Sequence, residues 1–408
     1  MFPKFSIITN SYNRRTLAEQ CIRSVLGQSY TNLEYFVIDN GSKTPLTDLI
    51  NVLNDSRVIF SRHEENQDSN YLVQEAFNRA TGDYLLWLQD DDALTPSALK
   101  KVADYVTSNA KPDILLGGYV RYNHDTGAVY PEQGSCSKDG RSEPWQENAN
   151  EILGTIGAFF GLSLGPSKTF TIPASPTTSF YSMNLLSRVS ARQSPLWIPP
   201  FGDHSLTMAL LYTDTVHILP AILGLVGDTT IRDQTSGRHD RHAPMKWKSY
   251  QNAKYLYNGF SFPNCQATSV LRAYACHRPV TAVYKILRPA FYIRHASAIL
   301  NDVCVNKQTI RDLMEVVPDA IRSAVHFGLS GSEARDLAGL IRRFGARCGG
   351  SALKRRITGP RLIPVEPHNG SDSNGQASIK RRFSSILECA TWLESLNPPA
   401  HWRSPLPD

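Results

Sequence analysis

Long apolar runs are missing from this chain: the longest, Ile218 to Val226, is too short to span a bilayer. Its opening residues carry no charged leader with an apolar core and a small-residue cleavage site, and run straight into a strand pattern. Cysteine is sparse. The seven, at positions 21, 136, 265, 276, 304, 348 and 389, form no CxxC pair and no metal-ligand spacing. Their odd number argues against a disulfide framework and fits a reducing compartment. These absences predict a cytoplasmic protein that is not integral to a membrane. Internal repeats are also lacking. Charge of one sign is not in large excess, with 43 Lys and Arg against 37 Asp and Glu. A formal net charge of +6 is weak support for a polyanion, and no nucleic-acid partner is expected.

What is present is a globular composition, 41% hydrophobic and 10% aromatic over 408 residues. That length suits one large domain and an appendage. Phe5 to Thr9, Leu33 to Asp39, Val58 to Ser61 and Tyr84 to Leu88 read as strands. Between them Thr16 to Gln28, Leu46 to Leu53 and Tyr71 to Ala80 show helical spacing. Strands apolar throughout and alternating with helices predict an α/β fold, a mostly parallel sheet covered on both faces. Residues 114–120 read as a further strand, and Asn123 to Asn150 as a loop excursion. Regular structure returns over Phe170 to Phe180, Leu206 to Tyr212 and Val216 to Val226. Beyond residue 245 the pattern is helical, over Trp247 to Leu256, Ala267 to Cys276, Ala296 to Val303 and Ser332 to Phe344. The expected division is 1–245 (halves 1–99 and 100–245), a helical region 246–359, a Pro/Asn/Gly/Ser-rich linker 360–378, and a C-terminal helix and tail 379–408.

Two strand ends carry chemistry. Asp90, Asp91 and Asp92 follow the buried run YLLWLQ, and three adjacent carboxylates repel unless a cation or solvent compensates. Mg²⁺ or Mn²⁺ prefers one or two carboxylates plus diphosphate oxygens; the alternative is a solvated acidic turn before the helix near Thr95 and Pro96. The other end is VIDNGS, where Asp39 to Ser42 form a polar corner. That is a turn signal, and also the place where open α/β sheets bind ligands.

"FSIITNSYNR", "CIRSVLGQSYTNLEYFVIDNGS" and "ATGDYLLWLQDDDALTPSAL" together resemble the family 2 glycosyltransferases of the GT-A fold, from Phe5 to about Leu99. The resemblance implies that Asp39 binds a nucleobase, with Thr9, Asn10, Tyr12, Asn13 and Arg14 lining the same region and Asn66 and Asp90 beside the nucleotide. It puts the principal metal ligand at Asp91, with Asp92 as its neighbour. Gln89 replaces the first acid of the family's D-x-D-D form, so either Asp90 or Asp92 assists. Where many relatives read E-N-x-G-x-x-x-A-R-N, this chain reads "ENQDSNYLVQ", with Val73 for the arginine. Either another basic residue, Arg14 or Arg79, supplies that charge, or the donor differs; Arg79 reads equally as a solvated helix residue.

"FGDHSLTMALLY" matches the family's acidic pair ahead of a helix, making Asp203 or His204 the general base, or else Asp203 a helix cap. "TTIRDQTSGRHDRH", with Arg232, Asp233, His239 and His242, matches a loop that relatives close over the diphosphate; it reads equally as an ordinary surface loop. The expected activity is metal-dependent, hexosyltransferase-like transfer, with inversion. It takes a sugar from a nucleotide-diphosphate donor, a UDP-sugar, to a glycan or lipid-linked acceptor in surface polysaccharide or glycan assembly. The alternatives are a sugar-nucleotide scaffold without turnover and a nucleotidyltransferase. The latter lacks its glycine-rich loop, since "TNSYNRR" holds no glycine. "YKILRPAFYIRHA", with Lys285, Arg288 and Arg294, reads as a packing element with charges turned to solvent, no long amphipathic stripe being evident. Its other reading is a peripheral contact with an anionic membrane.

Overall fold

The computed structural model describes residues 2–109, 111–131, 143–162, 164, 176–198, 206–229, 262–278, 287–300, 307–348 and 382–396. The alternation read from the first hundred residues is the alternation observed: β1 (Phe5–Ser11), α1 (Arg15–Leu26), β2 (Leu33–Asn40), α2 (Thr47–Leu53), β3 (Val58–His63), α3 (Ser69–Arg79) and β4 (Tyr84–Trp87). A two-residue β5 (Ala93–Leu94) and α4 (Ala98–Ser108) follow, then β6 (Ile114–Asn123), β7 (Ala128–Pro131) and β8 (Trp145–Asn148). Next come α5 (Ala149–Phe159), β9 (Ser179–Ser182), α6 (Met183–Ser190), a 3₁₀ turn over Leu206–Tyr212 and β10 (Thr215–Asp228).

The main sheet runs β3-β2-β1-β4-β9-β6-β10-β5, with β7 beside β6 and β8 beside β10. The pairs β2–β3, β1–β2, β1–β4 and β6–β10 are parallel. The short β9 is antiparallel to both neighbours and joins the halves. This is the mostly parallel, helix-flanked α/β sheet expected from the alternation of elements. Alternation explains its two layers: Phe5 and Ile7 point into one core with Cys21, Ile22 and Val25 of α1 and Val102 of α4, and Ile8 into the other with Leu72, Val73 and Phe77 of α3. Both faces being covered, the strands are apolar on both.

The stretch expected as a loop, 123–150, contains β7 and β8, and α5 opens at its end, capped by Asn148 accepting from Asn150 and Glu151 N–H groups. Helices α7 (Phe262–His277), α8 (Pro289–Leu300), α9 (Lys307–Phe327), α10 (Gly331–Cys348) and α11 (Ile386–Leu396) follow. α9 is unanticipated, since Pro318 within it reads as a breaker. α8 begins seven residues earlier than its spacing suggested, with Pro289 at its first position. The 247–256 helix and the 360–378 linker lie outside the described residues.

Candidate active site

The carboxyl ends of three parallel strands, β1, β2 and β4, meet at one edge, the place where α/β sheets bind ligands. Ser11 ends β1 in register with Asp39 of β2. Asp39 is fully buried: one carboxylate oxygen accepts from Ser42 N–H (2.9 Å), and the other from Leu46 N–H (3.0 Å) and the Arg62 guanidinium (2.5 Å). It therefore caps its own turn and holds a cation at once. Gly41 makes the corner possible, since it sits at φ +77° and a Cβ there would approach Glu65 C to 2.6 Å. Asn40 locks the corner to the next loop, donating to Gln67 O and accepting from Gln67 N–H.

The loop after β1 leans on the same corner. Asn13 is left-handed (φ 55°); its side chain accepts from Lys43 N–H (2.8 Å), and its own N–H donates to Ser42 Oγ (3.0 Å). Tyr12 lies beside it, partly exposed. Asn10 donates to Ser69 Oγ, but its Oδ1 is buried without a hydrogen-bond partner, and so is Asn66 Oδ1. Two orphaned amide acceptors beside the Asp39 corner, one near the end of β1 and one in the loop after β3, are an unfavourable arrangement until a donor arrives. Thr9 turns inward: its hydroxyl donates to Leu88 O and accepts from Tyr35 Oη, tying β1 to β2 and to the end of β4.

The three consecutive aspartates separate. Asp90, 4% exposed, accepts from Ser11 Oγ (2.7 Å) and from Arg14 (2.7 Å). Asp91 takes the other arm of the same guanidinium. Burial opposes the charge of Arg14, yet Asp90 and Asp91 raise its pKa above the ordinary arginine value. Asp92 turns into the interior, where one oxygen accepts from Gly227 N–H (2.9 Å) and the other from Thr177 Oγ1. Burial first, then Asp91, holds its pKa well above the usual carboxylate range, against the Thr177 and Gly227 bonds. Arg14 thus bridges Asp90 and Asp91, while Asp92 faces away from it. Gly227 also lets β10 pass close, since a Cβ there would meet Asp91 O at 1.9 Å, and His124 Nε2 donates to that carbonyl at 2.8 Å.

Of the basic residues expected to replace the missing arginine, Arg14 reaches the acidic pair, while exposed Arg79 lies over the Phe36 ring at 5.7 Å. Val73 is core. Arg62 went unread, although its register opposite Asp39 follows from pairing β2 with β3. Asp203, His204, Arg232, Asp233, His239 and His242 lie outside the described residues. Among the described residues no group of three or more His, Cys, Asp and Glu is set to hold a metal. Mg²⁺ or Mn²⁺ needs only one or two carboxylates beside substrate oxygens, and Asp90 with Asp91 meets that requirement, both already facing a cation.

The sheet carries a polar corner after β2 and an acidic pair after β4, and residues 6–169 match the family described as glycosyl transferase family 2. Among its relatives, a glycosyltransferase of Haemophilus influenzae is 33% identical over 109 residues, 26% of this chain and 44% of that protein. The GalNAc(5)-diNAcBac-PP-undecaprenol beta-1,3-glucosyltransferase of Campylobacter jejuni is 31% identical over 100 residues, 24% of this chain and 32% of that one. The chain thus spans less than half the length of the curated relatives it matches. Among solved structures, S. aureus TarS 1-349 in complex with UDP aligns at 15% identity and a TM-score of 0.42, covering 84% of this chain and 80% of that one.

Proposed function

We propose that the chain is an inverting glycosyltransferase that moves a sugar from a nucleotide-diphosphate donor, a UDP-sugar, to an acceptor hydroxyl in glycan or surface-polysaccharide assembly. The observation that carries this reading is the pair of orphaned acceptors, Asn10 Oδ1 and Asn66 Oδ1, flanking the Asp39 corner. Nucleobase N–H donors would satisfy such acceptors. The acidic pair stands one strand beyond β1, about 10 Å from that corner at the usual strand spacing, on the side where a diphosphate would extend.

A divalent ion, Mn²⁺ or Mg²⁺, would be held by Asp91 with Asp90 and would supply charge neutralisation for the leaving diphosphate. Arg14 keeps the two carboxylates together and presents a second positive charge to the phosphates. Arg62 orders the Asp39 turn. Asp203 would take the proton of the acceptor hydroxyl, with His204 as its neighbour. One displacement from the opposite face then inverts the anomeric carbon. The name of the Campylobacter jejuni relative points to a lipid-linked acceptor, which favours a protein working peripherally at the cytoplasmic face of a membrane. No helix among the described residues is long and apolar enough to cross one.

Calorimetric titration of UDP with and without Mn²⁺ tests the assignment. Asp91→Asn is expected to abolish the Mn²⁺-dependent part of UDP binding, and an unchanged affinity sinks the metal role of Asp91. Asp203→Asn is expected to keep donor affinity and lower transfer at least about a hundredfold. If His204→Ala alone shows that loss, the two roles exchange. A scaffold without turnover is the second reading, favoured by Val73 standing in the core where relatives carry an arginine. Wild-type binding without donor turnover would select it.

A further inference from the structure

Helices α8, α9 and α10 enclose an apolar groove of about 330 Å³, with walls that include Tyr292, Ile293, Leu313, Val317, Leu340 and Ile341. No charged or amide side chain lines it. Its volume lies within the range of small-molecule sites. The aromatic residues expected at a membrane surface, Phe291 and Tyr292, are instead buried in α8 and form part of the packing beneath.

The exposed apolar surface belongs to α9. Met314, Val317, Ile321 and Val325 are 63%, 41%, 59% and 82% exposed. Spaced three or four apart, they make one stripe along the helix and continue the lip of the groove. Arg311 and Arg322, about three turns apart, run along one edge of that stripe, and exposed Arg335 and Arg342 stand two turns apart on α10. Residues 287–348 hold nine Lys and Arg against six Asp and Glu. Of the acids on α9 and α10, Asp319 pairs with Arg322, Glu333 accepts from Ser330 and Ala290 N–H groups, Asp312 is buried, and Glu315 and Asp336 are exposed.

We propose that this face docks on an anionic bilayer. α9 would lie in the headgroup layer with its stripe toward the acyl chains, the groove would receive one chain end, and the rim arginines would meet lipid phosphates. A second copy of the chain fits less well. The stripe is about 17 Å long and the two-helix face about 20 Å wide, roughly 340 Å² per copy, under half of what a stable dimer buries. A bilayer requires only the apolar face and the matching charge.

Flotation of the full chain with vesicles tests this. Binding to phosphatidylglycerol/phosphatidylcholine vesicles is expected at low salt, at least tenfold weaker with phosphatidylcholine alone, and weaker at moderate salt. Ile321→Glu with Val325→Glu, both at exposed positions, should cut binding at least tenfold while leaving melting temperature and UDP affinity unchanged. Arg311→Gln with Arg342→Gln should reduce the salt dependence. The proposal is overturned if the wild type does not float at low salt, or if the double glutamate variant floats equally well. It is overturned too if light scattering shows a dimer that this variant splits. Failure on any of these counts leaves UDP binding untouched, so the docking face and the transferase reading stand or fall separately.

Discussion

Three adjacent carboxylates persist at the end of β4 because each is hydrogen-bonded: Asp90 by Ser11 and one arm of Arg14, Asp91 by the other arm of Arg14, and Asp92 by Thr177 and Gly227. Part of the repulsion expected of the triplet is offset from within the chain by Arg14, two positions after Tyr12. Arg14→Ala would leave Asp90 and Asp91 facing each other with no counter-charge. The expected loss is about 1–3 kcal/mol by chemical denaturation in EDTA. Mn²⁺ should restore more stability to the variant than it adds to the wild type; equal stabilisation of both would mean that Arg14 and the ion do not share carboxylates. The acidic cluster and Asp39 were legible because carboxylates at strand ends are conspicuous in one dimension. Arg62 was not, because its relation to Asp39 exists only through parallel register. The inward turn of Asp92 was hidden for a related reason: both of its partners lie at least 85 residues away.

Strands of the first half are readable as elements because burial on both faces makes them predominantly apolar. What joins them is less visible. Glu34, near the start of β2, accepts from Lys4 Nζ (2.7 Å), Ser6 Oγ (2.6 Å) and both the N–H and hydroxyl of Thr81, clasping β1, β2 and the approach to β4. Burial alone would raise its pKa, but these bonds outweigh burial and hold it at about 2 against an ordinary 4.5. A depressed carboxylate contributes stability above its unfolded pKa. That contribution is lost as pH falls from about 4.5 through about 2. Glu34→Gln is therefore expected to lower stability by about 1–2 kcal/mol at pH 7, with the gap from wild type closing as the pH is lowered through that window. A gap independent of pH would assign the loss to packing. Helix α9 escaped detection because Pro318 interrupts a pattern that neighbouring helices nonetheless stabilise, with Val316 and Ser323 buried against them.

At the scale of the whole molecule, the last described helix belongs to the same core as the central sheet. Ile386, Cys389, Ala390 and Leu393 of α11 are buried in it, Ile386 N–H donates to Gln20 Oε1, and Ser97 and Lys101 bond Glu394. Leu393→Ala is expected to cost about 2–5 kcal/mol, read as a lower midpoint of the main unfolding transition. A midpoint unchanged by the substitution would make α11 a separate appendage. The sequence by itself determined the α/β class, the order of the first elements, the polar corner at Asp39 and the acidic end of β4. Periodicity and turn chemistry are local and need no knowledge of the partner. Tertiary structure alone decided which carboxylate meets which cation, that β9 runs antiparallel between β4 and β6, and that α11 returns to the sheet. Each of these depends on contacts between residues far apart in the chain, whose pairing is settled by burial, register and charge in the folded molecule.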